Sequence, residues 1–296
     1  RRSSDLSYRK WSVNFFRENR FDIVHSHLDA LSYFPLYGAK VNGVPVRIAH
    51  SHVNGFTRDL KYPLRLVLKK LIPTVATSFF ASSKEAAEFM FGSRQYKIIV
   101  NPVNVKEFSF DADKRNLLRN QYGIDQNMRV IGHVGRFSEP KNHKFIIEIM
   151  RHLEKERYIL VLLGDGELFN EIQELSHDLN VPNIIFLGAK SNPSEYYSMF
   201  DVFILPSLYE GLGIVALEAQ INGLPVIISD RVSNDVILSE NITQLPLSLD
   251  SWVQNIESTV FNRTSHISTA LQAYDVKVST KNLQDIYLSL VGRGEL

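Results

Sequence analysis

The run Glu210 to Ile227, EGLGIVALEAQINGLPVI, reads as one turn, one helix and one buried strand. Gly211 and Gly213 flank the entry to a helix over Ile214–Ile221. Gly223 and Pro225 close it, and Val226–Ile228 is an apolar strand. The glycines allow the backbone to come close to a ligand. Glu210 sits on the turn, and Glu218 lies about two turns along. A carboxylate accepts two hydrogen bonds from a vicinal diol, so one glutamate suits sugar hydroxyls and the other ribose hydroxyls. Taken alone, Glu218 also reads as an ordinary exposed helix residue.

Outward from this run the same alternation of short apolar strand and amphipathic helix recurs. Strands are expected at Phe21–His25, Val46–Ala49, Ser78–Phe80 and Lys97–Val100, then at Arg129–Val134, Tyr158–Leu163, Ile184–Leu187 and Val202–Leu205. Helices are expected between them, at Ala30–Val41, Tyr62–Ile72, Lys84–Phe91, Lys141–Leu153, Glu167–Leu179 and Ser194–Met199. Buried strands joined by crossover helices make parallel sheets. Asn101 to Asp113 contains Pro102, has no clean period and reads as a linker. The expected architecture is α/β, with two Rossmann-like domains facing a cleft. Residues 1–108 form the first and 109–296 the second, and the last helix is a candidate to pack back on the first. Ligands belong at the carboxyl ends of the strands.

Composition narrows the function. Lys and Arg number 33 against 32 Asp and Glu, a balance that gives no reason to expect nucleic acid. The absence of cysteine excludes a disulfide scaffold, a thiolate metal site and a Cys nucleophile, and fits the cytoplasm. No apolar run approaches the ~20 residues of a spanning helix. Arg1 to Asp5 has neither an apolar signal core behind it nor an initiator Met, which points to a fragment.

A second motif, Gly135-Arg136-Phe137-Ser138-Glu139-Pro140-Lys141-Asn142, follows a strand and precedes a helix. Two cations beside a helix N-terminus suit a diphosphate, although composition alone also allows a solvated charged loop. The two motifs together resemble the signature of retaining glycosyltransferases of family 4 (glycosyltransferase group 1) with the GT-B fold. Asn142 stands where a Gly is commoner, while Gly164-Asp165-Gly166 and Phe186-Leu187-Gly188 also match in order. The resemblance covers roughly residues 20 to 290 and is sharpest from 129 to 229.

By this resemblance Gly135, Arg136 and Lys141 would hold the donor diphosphate. Glu210, with Gly211, Leu212 and Gly213, would hold the transferred sugar, Glu218 the ribose, and Gly188, Ala189 and Lys190 would border the base. His27 would line the cleft near the sugar. The candidate catalytic residues are therefore Glu210, His27, Arg136 and Lys141. No cofactor beyond the nucleotide diphosphate sugar, UDP- or GDP-linked, and no metal is expected. His25, His27, His50 and His52 end adjacent strands, with no acidic or Cys ligand set beside them. Hydrogen-bonded structural roles are an open reading for His25 and His50. Asp111-Ala112-Asp113 mimics a metal motif but reads as a helix start.

Two departures stand out. Asn101-Pro102 replaces the Asn-Gly often found before the linker, and the strand and Gly-rich loop that normally open the first domain have no match, so its sheet is expected to be incomplete. The resemblance implies transfer of a hexose to a hydroxyl of a glycan or lipid-linked acceptor in surface-polysaccharide synthesis. The competing readings are a nucleotide-sugar epimerase or phosphorylase of similar fold and a non-catalytic nucleotide-sugar-binding fragment. A dehydrogenase fails at the third glycine of Gly164-Asp165-Gly166-Glu167-Leu168-Phe169. Arg58 to Ile72 carries five cations against Asp59. Lys61, Arg65 and Lys69 share one face there and Leu64, Val67, Leu68, Leu71 and Ile72 the other, which fits either a domain helix or a contact with an anionic membrane on its inner face.

Overall fold

The computed structural model of the protein describes residues 5–292, apart from 57, 211 and 265–266. The expected donor-site Gly211 is thus outside the described residues. Two compact units divide the chain: Arg1–Asn101 with Lys277–Leu296, and Pro102–Val276.

In the first unit four strands pair in parallel in the order β1 (Ile23–Ser26), β2 (Val46–Ser51), β3 (Ser78–Ala81) and β4 (Lys97–Ile98). One face of this sheet packs Ala49 and Ala81 against Leu36, Ile72, Ala87 and Met90 of the crossover segments. The other packs Val46, Ile48 and Phe80 against Leu283, Ile286, Tyr287 and Leu290 of the helix Val276–Gly292. Both faces are covered, so the strands carry apolar side chains on both, although β2 also holds Arg47 and His50.

The second unit holds six parallel strands, β5 (Arg129–Val134), β6 (Tyr158–Leu163), β7 (Ile184–Gly188), β8 (Val202–Leu205), β9 (Val226–Ser229) and β10 (Ile242–Leu245). Their order is β10-β9-β8-β5-β6-β7. Val202–Leu205 and Val226–Ser229 are buried at every position. The chain starts in the middle of the sheet, builds outward through β6 and β7, then crosses back to β8. β5 and β8 are therefore the point at which the strand order reverses, where a doubly wound sheet opens a crevice for ligands. The pairing shows the opening. β5 pairs β6 over six residues but β8 only at Ile131↔Val202 and Gly132↔Phe203, leaving the carboxyl ends of β5 and β8 unpaired with each other.

Several expectations shift. The unit boundary falls at 101/102 rather than 108/109, because Val103 pairs with Asp275 and Asn104 caps the short helix Val105–Phe108 inside the second unit. Asp111 accepts from Lys114 N at 3.0 Å and caps the helix Ala112–Gln121. In the helix Tyr62–Leu71 the core takes Leu68 and part of Leu64, whereas Val67 and Leu71 face solvent. Arg65 pairs with Asp59 at 2.8 Å, and Lys69 lies over the Phe89 ring. The lysine stripe is thus partly tied to the protein, and the exposed face is more apolar than spacing alone predicts. Among the described residues no helix is long and apolar enough to cross a membrane.

At the amino end of the central strands Asp201 holds three partners. Its carboxylate accepts from Arg115 at 2.6 Å, Arg119 at 2.5 Å and Val130 N at 2.8 Å. Arg119 is fully buried, and burial lowers its pKa while the Asp201 charge raises it. A buried cation robbed of its counter-charge is strongly destabilising. Asp201→Asn should therefore cost about 3–5 kcal/mol of unfolding free energy, measured by denaturant unfolding. A loss close to zero would mean that Arg119 is not held by this charge.

Candidate functional site

Two loops leave the carboxyl ends of β5 and β8. The first, Gly135 to Asn142, passes through a 3-10 turn at Glu139–Lys141. Asn142 has a left-handed backbone, φ 56° and ψ 44°. That conformation is free for Gly and costs most other residues energy, with Asn among the exceptions, which accounts for Asn where a Gly is commoner. Asn142 Nδ2 donates to Pro206 O at 3.1 Å, and Leu208 N donates to Pro140 O at 2.8 Å. Two bonds thus clamp the β5 loop to the β8 loop.

The clamp brings Lys141 and Glu210 together. Lys141 Nζ pairs with Glu210 Oε2, and Ser207 Oγ donates to the same oxygen at 3.4 Å. Both side chains are mostly shielded, at 17% and 21% exposure. Arg136 is placed differently. It pairs with Glu167 at 3.0 Å, and its side chain is 72% exposed. The two cations of the motif are not equivalent, and only Lys141 is held beside a candidate sugar-binding carboxylate.

The next strand end is locked to the same loop. Gly135 N donates to Leu163 O, Phe137 N to Asp165 O and Leu168 N to Phe137 O, each at 3.0 Å. Gly164 has φ +142°, and a Cβ there would stand 1.9 Å from Gly135 O. No side chain fits between these loops. Gly164 N then donates to Gly188 O at 3.0 Å, so the ends of β5, β6 and β7 are stitched in sequence. Ala189 and Lys190, expected at the base, follow Gly188 and are exposed.

Gly213, at φ +66°, turns the β8 loop into the helix Ile214–Ile221 and packs beside Glu210 and Val232. Leu212 is half-buried. Glu218, on that helix, accepts from Tyr197 OH at 2.5 Å. Burial pushes the Glu218 carboxyl up to about 7, the Tyr197 hydrogen bond pulls down and Glu107 adds a small push upward. It is therefore no ordinary surface glutamate.

Sequence reasoning missed four neighbours. Ser207 and Tyr197 touch the two glutamates and carried no motif of their own. Beneath the β5 loop, His133 and His143 are buried, and His143 stacks on Phe137 at 4.0 Å between ring centroids. His133 Nδ1 contacts Ile204 O at 2.9 Å, but its Nε2 and both His143 nitrogens lack partners. Burial, reinforced by the Lys141 charge, holds His143 down to about 4.

In the first unit, the carboxyl ends of β1 and β2 carry a histidine ladder. His25 Nε2 and His50 Nδ1 lie 3.0 Å apart, and His27 Nδ1 and His52 Nε2 2.9 Å apart. His25 Nδ1 lies 2.6 Å from Tyr287 OH. Both nitrogens of His25 are thus engaged, and His50 is 3% exposed, as a structural role would require. Burial lowers the pKa of His25 to about 4 and of His50 to about 2, and lowers His27. Nitrogens of His25, His27 and His50 lie within 4.8 Å of one another, but the hydrogen bonds already use both nitrogens of His25 and one of His50. His27 and His52 form the exposed pair of the ladder.

Known proteins are similar to this chain in sequence and in fold. Residues 114–248 match the family model for glycosyl transferases group 1. EpsF of Bacillus subtilis (strain 168), assigned as a glycosyltransferase, is 35% identical over 86% of this chain and 70% of its own length. The UDP-Gal:alpha-D-GlcNAc-diphosphoundecaprenol alpha-1,3-galactosyltransferase of Escherichia coli is 24% identical over 93% of this chain and 77% of its own. Among solved structures, Anabaena HepE in complex with UDP superposes with a TM-score of 0.79 at 20% identity, over 95% of this chain and 82% of HepE. That likeness is one of fold, the two-sheet α/β architecture of GT-B proteins.

The raised Glu218 pKa makes a prediction with a definite sign. Its folded-state value lies above the ordinary 4.5, so the fold prefers the protonated side chain. The stability Glu218 contributes is present in full below pH 4.5 and is lost as pH rises through about 7. Glu218→Gln should flatten that part of the profile. Tyr197→Phe should move the Glu218 midpoint higher still, because the lost hydrogen bond favours the charged form. Carboxyl-carbon NMR titration reads the midpoint directly, and one unmoved by Tyr197→Phe would contradict the assignment.

Proposed function

The chain belongs to the glycosyl transferases group 1, and from that premise we propose that it moves a hexose from a UDP-linked donor to a hydroxyl of a glycan or lipid-linked acceptor. The transfer retains anomeric configuration and serves surface-polysaccharide synthesis. The observation that carries this reading is the Lys141–Glu210 pair at the junction of β5 and β8. It sets a cation for phosphate and a carboxylate for sugar hydroxyls side by side, between two loops that are themselves clamped. The E. coli relative, which takes UDP-Gal and a diphosphoundecaprenol-linked acceptor by its name, supports the donor and acceptor classes. HepE, solved with UDP, supports the nucleotide.

Breaking the bond between the anomeric carbon and the phosphate oxygen leaves charge on the diphosphate. Lys141, Arg136 and the backbone N–H groups opening the helix Ile214–Ile221 are the groups that would stabilise it, and no metal is required. Glu210 would orient the sugar, a positioning role. Glu218 would accept the ribose hydroxyls, and Gly188, Ala189 and Lys190 would border the base. His27 is the sugar contact that the family resemblance implies. A histidine kept neutral can donate one hydrogen bond and accept another, as sugar hydroxyls demand. The acceptor proton would leave with the departing phosphate, so no enzymic nucleophile is invoked.

Lys141→Ala should weaken UDP binding by about 1.5–3 kcal/mol, the range for a charge-assisted hydrogen bond. Arg136→Ala should cost less because its side chain is largely in water. Glu210→Gln should spare UDP binding while lowering transfer. Calorimetry and a transfer assay measure both, and unchanged UDP affinity in the Lys141 and Arg136 variants alike would refute the phosphate assignment. Metal independence has its own check. Transfer should persist in EDTA, and complete loss restored by Mg²⁺ or Mn²⁺ would show that a cation does the work assigned to Lys141.

A further inference from the structure

We propose that the outer face of the helix Tyr62–Leu71 docks this protein on an anionic lipid bilayer, with Leu60, Leu66, Val67 and Leu71 entering the headgroup boundary. Leu60 is fully exposed, Val67 is 56% exposed, and Leu66 and Leu71 are each 37% exposed. Pro63, Val67 and Leu71 recur at four-residue spacing and line one side of the helix, and Leu60 stands exposed in the turn that leads into it. Leu68 points the other way, into the cluster with Ala30 and Phe34. The helix is already anchored, so its exposed leucines are surplus to the core.

Charge complementarity selects the occupant. Arg58, Lys61 and Lys70 are exposed around the apolar strip. Arg65 and Lys69 add positive charge, and Asp59 is the one carboxylate between Arg58 and Ile72. An apolar strip framed by cations matches a bilayer carrying negative headgroups, where apolar insertion and electrostatic attraction act together. A protein partner would have to offer an apolar groove with an acidic rim.

The position adds a reason. The helix follows the carboxyl end of β2 and packs through Leu68 against the turn Asp29–Ser32. Asp29 Oδ1 of that turn accepts from His52 N at 2.8 Å. The proposed membrane face and the histidine ladder are thus at the same end of the first sheet. A lipid-linked acceptor held in the bilayer would arrive there. The inference rests on the acceptor reading for its purpose alone, since the surface is defined whether or not the acceptor is a lipid.

Co-sedimentation with phosphatidylcholine vesicles, with and without phosphatidylglycerol, tests the proposal. Binding should require the anionic lipid and fall steeply with added salt. Leu60→Ser combined with Val67→Ser should lower vesicle affinity at least about tenfold, because both side chains lose their burial in lipid. Arg58→Gln combined with Lys70→Gln should lower it several-fold at low salt and little at high salt. UDP calorimetry on each variant should stay at the parent value. That separates failure of this surface from failure of the donor assignment and shows that the fold is intact. Vesicle binding equal to the parent in both double variants would overturn the proposal. So would parent protein that ignores anionic vesicles but self-associates in sedimentation velocity through Leu60 and Val67, since the face would then receive a second copy of the chain.

Discussion

The junction of β5 and β8 is the constraint on which the second unit turns, and it is fastened at both ends. At the amino end, the Asp201 carboxylate joins the first residue of the β8 side to Val130 of β5 and to two arginines of the helix Ala112–Gln121. At the carboxyl end, Asn142 to Pro206 and Leu208 to Pro140 close the two loops on each other. Between these fastenings the strands share only two paired positions. A sheet pinned at its root can part at its tip, where the crevice of a doubly wound sheet is expected. Buried Arg119 cannot leave Asp201 without facing an apolar interior, so the root is rigid where the tip must be exact in geometry.

The same unit uses close backbone approach in place of side chains. Gly164 lies against Gly135 O, and Gly166 would place a Cβ 2.4 Å from Phe137 O. Polar chemistry is thereby confined to a few side chains that reach out of the loops, Lys141 and Glu210 foremost. Burial then tunes what lies underneath. His133 and His143 are held below the ordinary imidazole range by desolvation, as are His25 and His50 within the first unit. Near neutral pH these rings carry no charge, and the positive charge of the loop from Gly135 to Asn142 comes from Lys141 and Arg136.

The two units show the two ways in which a polar residue is retained in such a fold. Asp201, Arg119 and Arg263 are enclosed and bonded to backbone carbonyls or to each other, so they are part of the scaffold. Glu210 and His27 follow strand ends and Glu218 lies within the helix Ile214–Ile221, all partly open, where a ligand can replace or join their present partners. The helix Tyr62–Leu71 combines both behaviours, with Arg65 and Lys69 engaged by the protein and Lys70 in water beside exposed leucines.

The sequence by itself determined the class of fold and most of its elements. Apolar runs such as Val202–Leu205, bounded by glycine and proline turns, are readable because a strand covered on both faces must be apolar at every position. It also determined Glu210, Glu218 and Lys141 as candidates, because glycine-flanked turns at strand ends have few other uses. Strand order and the 101/102 boundary were not legible, and the return of the last helix to the first unit was legible only as a candidate, since each depends on contacts between residues far apart in the chain. The difference between Arg136 and Lys141 was equally hidden. Both are cations in one loop, and only the folded neighbourhood gave one to exposed Glu167 and the other to shielded Glu210. Helical spacing put Val67 and Leu71 on one face with Leu64 and Leu68 and left open whether the core takes them, because periodicity reports which residues share a face but not how wide a stripe the neighbouring elements cover. Tertiary packing set that width, and left the leucines of the helix Tyr62–Leu71 in solvent.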